Sequence, residues 1–158
     1  MSTSNDFDFL HGDWHVQHRK LRTRLTGDAT WDEFDGRATC QPALAGTGIV
    51  DDNWLDDPNG AYTALAVRTF DPATAAWSIW WFDGRMPHRL DPPVVGRFDG
   101  GRGTFTGEDL LDGRPIVVRF TWTDVGSEHP RWEQAFSADG EATWEVNWVM
   151  TLTRLVGG

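Results

Sequence analysis

The chain has one cysteine, one lysine and one tyrosine among 158 residues. Each scarcity excludes something. A lone Cys40 cannot close an internal disulfide and suits a reducing compartment, so a cytoplasmic location is expected. Lys20 is the only residue available for Schiff-base chemistry. Its neighbours Arg19, Arg22 and Arg24 place it in a charged run where an ordinary solvated lysine is expected. No apolar run approaches the roughly 18 residues of a membrane span. Residues 1–10 have no basic start and no apolar stretch, so no signal peptide is expected. There is no Gly-x-Ser-x-Gly elbow, no phosphate-binding Gly-Lys-Ser/Thr loop and no Rossmann glycine pattern leading into a helix. Bases are also scarce, 14 Lys and Arg against 24 Asp and Glu, for a net charge of −10. That balance argues against nucleic acid, whose binding neutralises phosphates, and against an anionic membrane surface. It serves solubility.

Tryptophan, in contrast, is abundant: ten residues. Rings in that number have to line a core, a pocket or an interface. They sit in strand-like alternation punctuated by turn signals such as Asp57-Pro58-Asn59-Gly60, Asp99-Gly100-Gly101, Asp112-Gly113 and Asp139-Gly140. Ten strands are predicted, near 13–24, 31–42, 47–55, 62–70, 76–83, 94–99, 103–110, 115–124, 131–137 and 143–154. A short helical turn is expected over 6–10. The one long irregular stretch is 84–93. No linker, low-complexity segment or helix of normal length interrupts the pattern, so a single domain over 1–158 is expected. An all-β antiparallel meander of this length either closes into a barrel or splits into two packed sheets.

Alternation assigns faces. A three-residue loop closed by Gly140 pairs Ser137 with Glu141 and puts Trp132, Gln134 and Phe136 on one side with Trp144, Val146, Trp148, Met150 and Leu152. The same logic turns inward Trp14, Val16 and His18; Phe34, Ala38 and Cys40; Leu65 and Val67; and Val118, Phe120 and Trp122. Glu133, Glu145 and Asn147 fall on the outer face. Over 76–83 both faces are apolar, and alternation does not say which ring set points in.

Candidate functional groups are few. His11, His15 and His18 would form a metal-binding face on a helix, but on a strand His18 takes the opposite side, so no metal is expected. His18 is the polar member of an apolar row, where it is either a satisfied core histidine or a hydrogen-bonding or proton-transferring group of a pocket. Gln134 stands in a second such row, where an uncompensated amide is costly and needs a partner. The stretch 83–93 follows the most aromatic strand and offers Asp83, Arg85 and His88 at a barrel mouth. Asp51, Asp52 and Asn53 lack calcium-loop spacing and read as a solvated turn. Cys40 reads as inert core.

Phe7-Asp8-Phe9-Leu10-His11-Gly12-Asp13-Trp14 resembles the helical lead-in and Gly-x-Trp that open lipocalin-like (calycin) barrels. Thr151-Leu152-Thr153-Arg154 is similar to their closing strand. The resemblance implies a structural pair, Arg154 covering Trp14. Through Trp31–Gly36, Trp77–Trp81, Arg131–Ser137 and Trp144–Trp148 the chain more closely resembles a bacterial family of small lipocalin-like proteins known only as a domain of unknown function. This implies a closed barrel of about 8–10 strands and no particular activity. Related haem-binding nitrobindins carry an iron-ligating histidine on a strand near the C-terminus. Here the last histidine, His129, precedes Pro130 in a predicted loop, so no haem or other cofactor is expected.

The expected function is binding of a small, largely apolar molecule, aromatic or isoprenoid-like, at His18, Trp80, His88, Trp122, Gln134 and Trp148. The alternative is a cofactor-free isomerase, cyclase or lyase using the same pocket, with orientation and one acid or base as its means. A third reading makes the doubled tryptophan row of 77–81 a homodimer interface.

Overall fold

The computed structural model describes residues 1–156. A short 3-10 turn, Asp8–Leu10, leads into ten strands: β1 Gly12–Leu21, β2 Trp31–Ala43, β3 Gly48–Leu55, β4 Tyr62–Asp71, β5 Ala76–Asp83, β6 Val94–Asp99, β7 Arg102–Leu111, β8 Arg114–Thr123, β9 Arg131–Ser137 and β10 Glu145–Arg154. Each pairs antiparallel with the next, and β1 pairs with β10, so the meander closes into a barrel. Closure removes most of the sheet edge; the ends of β5 and β7 beyond their short ladders with β6 are left without a partner on that side. The Asp112-Gly113 corner between β7 and β8 has positive φ at both residues, 51° and 77°, the geometry of a tight hairpin turn matched to strand twist.

One end of the barrel is plugged by the N-terminal turn. Phe7 and Leu10 are buried there, and Phe7 meets Trp77 and Phe98 edge-on at 4.9 and 5.0 Å. Trp77 donates its indole N–H to Asp6. Trp14 donates to Leu10 O at 2.8 Å, and Arg154 lies 4.1 Å over the Trp14 ring while donating to His11 O and Phe9 O. Sequence resemblance implied this Arg154–Trp14 pair. The three backbone oxygens it and the indole satisfy are the loose ends of the lead-in turn.

The structure corrects four assignments. On β4 the inward residues are Tyr62, Ala64, Ala66 and Arg68, not Leu65 and Val67. Both parities of that strand carry apolar residues, and the smaller set points in, where alanines leave room for other side chains. Asp51 is not in a solvated turn but on β3, buried against Arg68. The β9–β10 connection is longer than a three-residue loop. Asp139 organises it by accepting from Ser137 Oγ and Thr143 N at 2.9 Å each, and Phe136 pairs with Glu145. The register moves by an even step, Trp132 facing Met150, so the central part of the predicted face survives. Finally, a bulge at Asn147 turns both Asn147 and Trp148 inward, which throws Trp144 to the outside, 4.1 Å from the Arg119 guanidinium.

Candidate ligand-binding cavity

The inward rings do not fill the barrel. At the end opposite the plug they leave a chamber of about 200 Å³, walled by Trp81, Phe120, Trp132, Phe136 and Trp148. Beneath it lies a pocket of about 40 Å³, and the two share Ile79, Trp81, Phe120 and Trp132. The wall is held by perpendicular ring contacts: Trp148 with Trp81 at 5.6 Å, Trp148 with Trp132 at 5.3 Å, and Phe120 with Trp132 at 5.0 Å. Such edge-to-face pairs fix ring positions beyond what burial alone does. The β5–β6 ladder runs over only three pairs, Trp77 to Ile79 against Gly96 to Val94. Beyond it the chain swings out through 84–93, and Asp91 and Pro92 join the chamber's rim.

The six residues named from sequence are dispersed. Trp148 and Gln134 line the upper chamber, and Trp122 lines the lower pocket. Trp80 does not touch either: it shares the outer face with Phe82, opposite Val67, and Trp81 takes the inward position. His88 is exposed in the 84–93 stretch and is not part of the lining, whereas Asp83 and Arg85 are. His18 is buried behind the wall, stacked on Phe34 with centroids 4.8 Å apart. Its Nδ1 accepts the Trp148 indole N–H at 3.1 Å, which assigns that nitrogen the acceptor role. Gly36 makes room for this ring: a Cβ there would lie 2.7 Å from His18 Nε2. Burial, reinforced by the Lys20 ammonium, pushes the His18 pKa down to about 3, so the imidazole stays neutral. Gln134 is likewise satisfied by protein, donating Nε2 to Asn147 Oδ1 at 2.8 Å.

Sequence reading missed the polar groups that do face the chamber. Lys20 continues the inward row Trp14, Val16, His18 by one more step. Its side chain is half-buried, with the ammonium 4.3 Å from the Trp148 ring. Strict alternation contained that signal; the surrounding arginines masked it. Arg24 follows β1 and reaches the Phe136 ring at 5.8 Å. Tyr62 closes the same rim beneath Arg85, 3.7 Å from ring to guanidinium, and burial pushes its hydroxyl up to about 12. Arg85 is bound by Asp83 through two N–H···O contacts of 3.0 and 2.8 Å, which hold the Asp83 carboxyl below its ordinary range.

The lower pocket holds a second missed element. Arg68 Nη1 lies 2.7 Å from Asp51 Oδ2, with both side chains inside the barrel. Phe7 and Trp122 flank the guanidinium at 5.0 and 5.8 Å. Arg68 Nε, Asp51 Oδ1 and Trp122 Nε1 have no protein hydrogen-bond partner. Cys40 lies beside this pair, its thiol pKa pushed up by burial and by the Asp51 carboxylate, as suits an unreactive core residue.

Among the described residues no group of three or more histidine, cysteine or acidic side chains could hold a metal ion. His129 lies outside the barrel wall, its Nδ1 3.1 Å from Thr153 Oγ1. Among the described residues no helix is long and apolar enough to cross a membrane.

No protein-family model matches the sequence, and no curated protein does. By structure the chain is similar to the S-type phycobiliprotein lyase CpeS from Guillardia theta, with a TM-score of 0.63 and 11% identity over 100% of this chain and 95% of that one. A protein of unknown function from the DUF3598 family of Nostoc punctiforme is similar at a TM-score of 0.48 and 15% identity. There the match takes in 98% of this chain and 50% of that one. The likeness to CpeS is one of fold. The chain is a lipocalin-like barrel. No residue inherits a role from the neighbour at that identity, and function rests on the site.

Proposed function

We propose that the protein binds a small, largely apolar molecule, aromatic or compact isoprenoid in type, in the upper chamber of the barrel. The observation that carries this reading is the chamber of about 200 Å³ walled by Trp81, Phe120, Trp132 and Trp148 with charged side chains at its rim. An apolar cavity of ~150 Å³ already accommodates benzene, so this one admits a body of about two fused rings. Aromatic walls beside polar groups that can orient a ligand are a usual composition of a small-molecule site, and here the polar share of the lining is large. CpeS, which shares the barrel, is a lyase in name, and a lyase reading of this chain would need a free acid or base against the rings. His18 is neutral with Nδ1 occupied, His88 is outside, and the Gln134 amide is engaged by Asn147, so the acid–base groups offered by the sequence are not free and a lyase reading would fall to Lys20, 4.3 Å from the Trp148 ring.

Isothermal titration with 2-naphthamide and 2-naphthoate, beside native mass spectrometry of freshly purified protein, tests the proposal. Saturable one-to-one binding of at least one probe, or a retained small molecule displaced by it, is expected. Absence of binding by both probes and of any retained molecule would overturn it.

A further inference from the structure

The rim of the chamber is electrostatically two-sided. Lys20 and Arg24 stand over the Trp148 and Phe136 rings, while Asp91, Glu108 and Asp109 lie across the opening. Four observations set Lys20 and Arg24 apart. First, no carboxylate forms an ion pair with either among the described residues, whereas Arg85, the other cation lining the chamber, is paired with Asp83. Secondly, Arg24 Nε is buried without a hydrogen-bond partner. Thirdly, the acids whose charge reaches them are hydrogen-bonded to other groups: Glu145 Oε1 accepts the Leu25 N–H at 2.8 Å, Asp57 Oδ1 accepts from Asn59, and Asp83 is bound to Arg85. Fourthly, the two cations repel each other: after burial, Arg24 is the largest influence lowering the pKa of Lys20, to about 8. Two partly desolvated like charges without a carboxylate in contact cost free energy that a bound anion would recover.

We propose that Lys20 and Arg24 form the anion-recognising end of the site, so that its ligand is an amphiphile with an aromatic or compact isoprenoid body and one carboxylate-type head. The inference rests on the binding reading above and deepens it. The body lies against Trp81, Trp132 and Trp148, and the head sits between the ammonium and the guanidinium at the rim. Arg85 is not part of this pair, because Asp83 already neutralises it. The acids across the rim give the opening a polarity that turns the head toward Lys20 and Arg24 and disfavours the reverse pose.

The test compares 2-naphthoate with 2-naphthamide, which share a shape and differ in charge, on the intact protein. Wild type is expected to bind the carboxylate at least tenfold more tightly than the amide. The Lys20→Met/Arg24→Met double variant is expected to bind the two about equally while keeping its affinity for the amide, and Lys20→Arg to keep the preference. Equal affinities in wild type, or a preference that survives in the double variant, would sink the assignment while leaving apolar binding intact. Failure of wild type to bind either probe, with no small molecule retained, removes the binding reading itself, and this inference with it. Retained amide binding in the double variant shows that its pocket is folded.

Discussion

Trp148 on β10 donates its indole N–H to His18 Nδ1 on β1, 3.1 Å away across the seam that closes the barrel. The bond fixes the tryptophan that forms one wall of the chamber and leaves the histidine no reason to take a proton. This has a pH consequence with a definite sign. The folded pKa of His18 lies near 3, well below its ordinary 6.5. Above pH 6.5 the residue is neutral folded or unfolded and costs nothing. As pH falls below 6.5 the unfolded chain binds a proton that the folded chain refuses, so stability is lost progressively toward pH 3. The slope contributed is at most about 1.4 kcal/mol per pH unit. Urea midpoints at pH 7 and pH 5, above most carboxylate titration, are expected to fall in wild type. His18→Asn, which is neutral throughout and keeps an acceptor, should flatten the difference; an unchanged slope would contradict it.

The Asp51–Arg68 pair argues from the same physics of burial. Charges this deep lose their hydration, and the pair roughly offsets that loss only while both members are present. Arg68→Met leaves Asp51 uncompensated and is expected to cost about 3–5 kcal/mol, as is Asp51→Leu. The double variant should recover most of that cost, because two apolar side chains fit among Phe7, Ile79 and Trp122. Chemical denaturation of the four proteins as a cycle measures the coupling. Additive losses would show that the pair does not act as a unit.

How much of this was legible in the sequence follows from where the signals are local. All ten strands were read to within a few residues, because Asp-Gly and Pro-containing turns mark their ends. Faces were legible where one parity is apolar and the other polar, as in Trp14, Val16, His18 or Val118, Phe120, Trp122. They were lost on β4, where Leu65 and Val67 compete with Ala64 and Ala66, and on β5, where Trp80 and Trp81 compete directly. The bulge at Asn147 is a third kind of loss: one unpaired residue inverts a face, and nothing in Glu145-Val146-Asn147-Trp148 announces it. Of the site, the aromatic wall was partly readable and the ion pair was not. Asp51 and Arg68 lie 17 positions apart, and only the β3–β4 register, with Asp51 opposite Ala66 and Arg68 opposite Ile49, makes them diagonal neighbours on one face.

The competition on β5 can be settled in solution. Trp81 joins the upper and lower chambers and packs edge-on against Trp148, while Trp80 faces outward beside Phe82. Trp81→Ala merges the two spaces and removes a wall, so affinity for 2-naphthoate is expected to fall tenfold or more. Trp80→Ala should change it by less than threefold. Calorimetric titration of both variants reads the difference, and the reverse ranking would place the other ring inside.

Lys20 being the sole lysine makes its ionisation directly observable. Its pKa is lowered to about 8 from 10.5, first by burial and then by the Arg24 guanidinium; Arg85 acts in the same direction, and Asp57 and Asp83 oppose it. The folded pKa lies below the unfolded one, so the folded chain gives up this proton first as pH rises. Between pH 8 and 10.5 the folded ammonium is lost while the unfolded one persists. The unfolded chain then holds more protons than the folded one, so this group makes stability rise with pH across the window, and the sharper readout is the group itself. With lysine labelled at 13Cε, a single resonance should titrate with a midpoint near 8. Arg24→Met removes the largest charge-based depression and should move the midpoint upward. The affinity advantage of 2-naphthoate over 2-naphthamide should fade over the same interval, since a neutral amine no longer attracts the carboxylate. A midpoint near 10.5, unaffected by Arg24→Met, would mean that Lys20 is solvated and that the rim holds no paired cations.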